Sequence, residues 1–236
     1  MHSSASLSSA FVSPPTQWSM IAGLQDASGE RGRSLERLAA HYFYPVFAQL
    51  RDAGFAEADA YSFAHGFFNG LIAGLGEGTL PDRFRVYLLA QLDQFCADPA
   101  PAERPIPGAP ALESVRKRYA RDSDLPGPPA QVFDARFARE VMTRALLRLK
   151  TEAVGNGREA LFLALAPYLI RDPQTSDRQR LKAELGLSGV ALTIALRRLR
   201  ARYAELGNAE LTQTLCEPDD LASERTVINA LFDPPQ

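Results

Sequence analysis

Ser188, Thr193, Arg197, Arg198, Arg200 and Arg202 are the residues of this chain whose types and spacing best support chemistry, and all six fall within one short stretch. The chemistry is recognition of a polyanion. Hydroxyls and guanidinium forks suit phosphate oxygens, and Arg also pairs with the O6 and N7 edge of guanine in a major groove. From Arg171 to Tyr203 there are eight Lys or Arg against three Asp or Glu, a surplus of five in a chain whose net charge is -2. The groups that could do catalysis are weaker candidates. His41, His65 and Cys96 fall in helical patterns rich in aromatics, where satisfied core residues are the commoner explanation. His2, His41 and His65 have no metal-ligand spacing with one another or with the cysteines, so neither metal nor cofactor is expected.

The basic residues need an element that aims them outward, and Ser176 to Tyr203 supplies one. Two short helical patterns are separated by Leu185-Gly186-Leu187-Ser188, the layout of a helix-turn-helix. Ser176 and Gln179 form a capping box before the first helix, and Ser188 is placed to accept from the N–H groups that open the second. Leu192, Leu196, Leu199 and Tyr203 recur at spacings of four, three and four, so they share a buried face. Thr193, Arg197 and Arg200 line one flank and Arg198 and Arg202 the next. A two-helix corner with a solvated Arg face is the plainer reading, but caps, turn and charge asymmetry coincide here.

At 236 residues with 46% hydrophobic content the chain is long enough to bury one large or two modest cores. A pI near 6.0 excludes coating nucleic acid by bulk charge, so any DNA contact must be local. No Lys precedes Lys117, and residues 16–100 hold six Arg against ten Asp or Glu. Cys96 and Cys216 have no CxxC partner, which suits reduced thiols in a cytoplasmic protein. Residues 1–15 lack the basic start and apolar core of a secretory signal and read as a loose tail. No apolar run is long enough to span a bilayer.

Helical periodicity covers the rest, with no strand pattern. Expected helices are Trp18–Leu24, Arg33–Ala53 (offset at Pro45 and closed by Gly54), Glu57–Leu75 and Arg83–Ala97. Residues 98–110 carry five prolines in thirteen and cannot continue a helix. A short basic helix, Leu112–Arg121, precedes a second breaker around Gly127. Helices over Phe133–Ala153 and Asn156–Ile170, the helix-turn-helix, and closing helices Asn208–Leu215 and Ala222–Phe232 follow. The expected architecture is all-α, with helical domains over 16–97 and 131–236 joined by a linker over 98–130 that carries little packing.

Several segments fall in a set order: Thr16-Gln17-Trp18-Ser19, His41-Tyr42-Phe43-Tyr44-Pro45, Gly66-Phe67-Phe68, Arg83-Phe84-Arg85-Val86-Tyr87-Leu88-Leu89, Val132-Phe133-Asp134-Ala135-Arg136-Phe137-Ala138, and Gly157-Arg158-Glu159-Ala160-Leu161-Phe162 through Pro167-Tyr168-Leu169. With the helix-turn-helix they make the chain resemble bacterial extracytoplasmic-function sigma factors, two-domain subunits that direct RNA polymerase to promoters, and best the branch opening with Thr-x-Trp-Ser. The resemblance implies that Ser188, Thr193, Arg197 and Arg198 lie nearest promoter DNA, and that the helix before Phe67-Phe68 docks on core RNA polymerase through Asp59, Tyr61, Ser62 and His65. Relatives carry an acidic motif there; this chain has Asp59-Ala60-Tyr61-Ser62 and His65-Gly66. Asp93, Asp98 and the proline run replace the basic run that melts promoter DNA, and Lys182 stands where a small Ala usually lies at the helix crossing.

Three functions follow. The first is a sigma-like transcription regulator binding promoter DNA and core polymerase, without catalytic activity, with an anti-sigma regulator or a protein kinase as further partners. Ser62, ahead of Tyr61, is the candidate phosphorylation site, since a phosphate there restores charge where relatives carry an acid. The second is a degenerate relative acting as an interaction module or a plain DNA-binding regulator. An enzyme built on His41, His65 and Cys96 is the third.

Overall fold

The computed structural model describes residues 30–74, 84–122, 125 and 127–212. The expected helix at Trp18–Leu24, the residues after 212 and Cys216 lie outside them. Every regular element among the described residues is helical: α1 Glu30–Asp52, α2 Glu57–Gly74, α3 Phe84–Phe95, α4 Leu112–Asp122, α5 Pro129–Gly155, α6 Glu159–Leu165, a 3₁₀ turn Ala166–Tyr168, α7 Thr175–Leu185 and α8 Gly189–Thr212. No described helix is long and apolar enough to cross a membrane.

The helix at the centre of the first half is α1. Each residue from His41 to Leu50 is buried, as expected of a helix enclosed on all sides. Pro45 lies inside it. Gly54, at φ +96, ends it: the Gly54 N–H donates to Arg51 O and the Phe55 N–H to Leu50 O, at 3.0 and 3.2 Å. A left-handed glycine thus satisfies carbonyls that the helix end leaves open. Around α1 pack Phe67, Phe68 and Leu71 of α2, Leu88 and Leu92 of α3, and Val115 of α4.

The packing does not stop at residues 98–130. Phe133, Phe137, Ala138 and Val141 of α5 join the α1 core, and Tyr42 and Phe137 stack with ring centroids 5.1 Å apart. Farther along the same helix, Ala145 and Leu149 pack with Phe162 and Leu206. Periodicity reveals that α5 has an apolar face, but not that its two ends serve different cores. Arg136 is 1% exposed and pairs with Asp52 beside the Tyr119 ring; a buried guanidinium needs such a partner.

Two expected boundaries need correction. The helix expected over Asn156–Ile170 is a seven-residue α6 followed by the 3₁₀ turn, because Pro167 denies the next turn an N–H donor. Instead of stopping near Tyr203, α8 runs to Thr212. It passes Gly207, where an added Cβ would come within 3.3 Å of Met142 Sδ, so the missing side chain lets α8 approach α5.

Glu210 ties that last part of α8 to the neighbouring helices. It is 2% exposed and is reached by His41 Nε2 (3.3 Å), Arg144 Nε (3.2 Å) and Arg148 NH1 (2.7 Å). Burial raises the carboxyl's pKa, but these three hydrogen bonds outweigh it and hold the pKa at about 2. One carboxylate therefore joins α1, α5 and α8.

Candidate nucleic-acid interface

The turn between α7 and α8 is built from a few backbone-specific residues. Gly186 sits at φ +63 in the left-handed region, and the following Leu187 N–H bonds Lys182 O at 3.2 Å. Ser188 then caps α8, its Oγ accepting from the Ala191 N–H at 3.1 Å. The expected Ser176–Gln179 capping box is not formed. α7 begins earlier, and Asp177 accepts from the Gln174 N–H at 3.1 Å. Hydrogen bonds from Tyr168 and Gln174 keep the Asp177 carboxyl below its ordinary pKa. Leu181 packs with Leu165, Tyr168, Leu192 and Leu196. The residue at that contact is Leu181, while Lys182 is exposed, so its length does not hold α7 and α8 apart.

Burying Leu192 and Leu196 turns the opposite side of α8 outward. Ser188, Thr193, Arg197 and Arg198 are exposed. Arg197 and Arg198 form no hydrogen bond or ion pair with any described residue. The Thr193 hydroxyl donates to Gly189 O at 3.0 Å. Val190 and Ile194 share this face, 73% and 45% exposed. Sequence reasoning misses them, although the Leu192–Leu196–Leu199 stripe already places them opposite the core. Arg198 also borders an open groove of about 430 Å³ between α5, α6 and α8, lined by Leu149, Phe162 and Leu199.

The remaining two arginines are held within the chain. Arg200 donates to Tyr168 O (2.8 Å), Arg171 O (2.6 Å) and Asp172 Oδ1 (2.8 Å), tying down the carbonyl that closes the 3₁₀ turn and two acceptors in the loop after it. Arg202 holds Glu152 with Nε and NH2 at 2.9 and 2.8 Å and Glu205 with NH1 at 2.8 Å. Its hydrogen bond lowers the Glu152 pKa. Helical phase alone cannot separate these two from Arg197 and Arg198, because acceptors distant in sequence make the difference.

On α2 the structure does not gather Asp59, Tyr61, Ser62 and His65 into one open patch. Asp59 is exposed. Tyr61 and His65 pack edge-on, centroids 4.7 Å apart, and both contact Phe43. Residues 98–110, expected to carry little packing, lie across these positions as a strap. The Ala102 N–H bonds Ser62 O at 3.3 Å, the Ile106 N–H bonds His65 Nδ1 at 3.0 Å, Tyr61 Oη donates to Pro110 O at 3.1 Å, and Asn69 Nδ2 donates to Arg104 O at 3.2 Å. Ile106 is 4% exposed. Gly66 makes this approach possible: a Cβ there would stand 2.0 Å from Ala100 O. Burial lowers the His65 pKa, in keeping with an Nδ1 that must stay unprotonated to accept from Ile106.

Of the catalytic candidates, His41 is buried in the Glu210 cluster and His65 under the strap, while Cys96 is half-buried with its thiol pKa raised, chiefly by burial. Among the described residues no three His, Cys, Asp or Glu come together as metal ligands. The arrangement presents an open helix face with two guanidinium groups that have no partner among the described residues, and a second helix crossed by the chain's own strap. No family model, no curated protein and no solved structure matches this chain.

Proposed function

We propose that this chain is a sigma-factor-like transcription regulator, without catalytic chemistry of its own, that inserts α8 into the major groove of promoter DNA. In this reading α7, the Gly186 turn and α8 are a helix-turn-helix with α8 as recognition helix, and residues 131–236 are the DNA-binding part. The observation that carries it is the outer face of α8, where Arg197 and Arg198 are exposed and have no partner among the described residues. Guanidinium groups left free beside a capped helix start suit phosphate and guanine contacts. The test is fluorescence anisotropy on duplex DNA over a salt series. Arg197→Ala with Arg198→Ala is expected to cost about 1–3 kcal/mol of binding for each base edge no longer read, with thermal stability unchanged because exposed charges contribute little to folding. A double variant that binds as the parent does at every salt concentration overturns the assignment.

A second reading, DNA binding without directing initiation, is favoured by α2. Its position for docking core RNA polymerase has lost acidic groups, and the strap bonds to Tyr61, Ser62 and His65. Retention of purified core polymerase by the full chain separates the two readings. Under the first, the polymerase-facing residues are Asp59 and, after phosphorylation by a protein kinase, Ser62; Tyr61 is a packing residue.

A further inference from the structure

The outer face of α8 has apolar groups among its arginines, and they define what it reads. Val190 and Ile194 lie one turn apart at 73% and 45% exposure, on the side opposite Leu192 and Leu196 and flanking Thr193 and Arg197. The Thr193 hydroxyl proton is used within the helix, on Gly189 O, leaving its methyl as the less committed group. The face therefore offers two branched apolar side chains and a third methyl, bordered by two guanidinium groups with no partner among the described residues. An apolar protein surface would bury those charges unpaired. A bilayer calls for a broad apolar face, and the large buried leucines of α8, Leu192, Leu196, Leu206 and Leu211, are already packed within the protein. One polyanion combines negative charge with isolated apolar knobs: the DNA major groove, where the thymine C5-methyl projects among hydrogen-bonding edges.

We infer that Val190 and Ile194 are specificity determinants that contact thymine methyl groups, so that the preferred site places thymines beside the guanine read by Arg197. This deepens the DNA-binding reading above and rests on it. Four residues of helix rise about 6 Å, close to two base-pair steps of about 3.4 Å each. Lying along the groove, α8 therefore places the two methyl contacts about two steps apart.

The test starts by selecting sites from a random-sequence duplex library with the full chain. Affinity is then measured for the selected duplex and for the same duplex with deoxyuridine replacing thymidine, which removes only the methyl. Removal is expected to weaken binding about fourfold per contacted methyl. The Val190→Ala, Ile194→Ala double variant is expected to bind both duplexes equally, and the uracil duplex as the parent does. Equal affinity of the parent for the two duplexes overturns this inference while leaving DNA binding standing. Failure of the library to enrich, together with no binding of any duplex at low salt, overturns the DNA-binding reading itself.

Discussion

α2 and α8 make opposite use of their outer faces. By sequence, each offers polar groups to a partner. The chain covers α2 itself: the Tyr61 hydroxyl, the Ser62 backbone carbonyl and the His65 ring are bonded to residues of the strap. On α8, Arg197 and Arg198 are left open while their neighbours Arg200 and Arg202 are tied down. Residue type does not decide which helix is available; acceptors brought in from distant segments do. Among the described residues, the arginines left without an internal partner on these two helices are therefore on α8 and not on α2.

The largest expected effect comes from removing the carboxylate that ties α8 to α1 and α5, both of which pack into the core that α2 shares. Glu210→Ala leaves the Arg144 and Arg148 side chains and His41 without their shared acceptor, and is expected to cost roughly 3 kcal/mol in chemical denaturation. Because the folded Glu210 pKa is held at about 2, below the ordinary 4.5, its contribution is complete above about pH 4.5 and drains as pH falls towards 2. The variant should lose that acid dependence. A variant as stable as the parent would mean that the carboxylate joins nothing.

Next come two glycines of α2. In a helix, Gly→Ala ordinarily stabilises by up to about 1 kcal/mol, and Gly70, with nothing within 4 Å of an added Cβ, should behave so. Gly66→Ala should instead cost about 1–3 kcal/mol, as overpacked sites do, since Ala100 must move. Limited proteolysis within 98–110 should accelerate for Gly66→Ala alone. Equal behaviour of the two variants would remove the strap from the comparison.

The smallest effect is a pH dependence. His65 is buried with its pKa lowered from the ordinary 6.5, so the unfolded chain takes up a proton before the folded one. The stability this gives is complete above about pH 6.5 and is lost as pH falls through and below that value. Proteolysis of the strap should therefore quicken between about pH 7 and about pH 5. His65→Gln, which can still accept from Ile106 but does not titrate, should flatten the profile; a parent with no pH effect contradicts the buried hydrogen bond.

Local signals were legible in the sequence. Gly54, Gly186 and the Ser188 cap act as their residue types dictate, and the leucine stripe of α8 is buried at Leu192 and Leu196. What was hidden depends on partners far along the chain. Ile106 sits among prolines that read as a bare linker, yet its side chain is buried and its N–H finds a histidine on α2. Apolar periodicity gives α5 a buried face but cannot say that Phe137 and Leu149 face different clusters. Glu210 and Arg136 look like surface charges until the groups that neutralise them are in view.

The strap has a consequence for competition. It is tethered to the face it covers, so it acts there as an intramolecular ligand at an effective concentration in the millimolar range. Its prolines narrow the conformations open to it when released, which lowers the entropy it loses on docking again. Any protein that takes the outer face of α2 therefore meets a standing occupant. Its apparent affinity is its intrinsic affinity scaled by the fraction of molecules in which the strap is undocked.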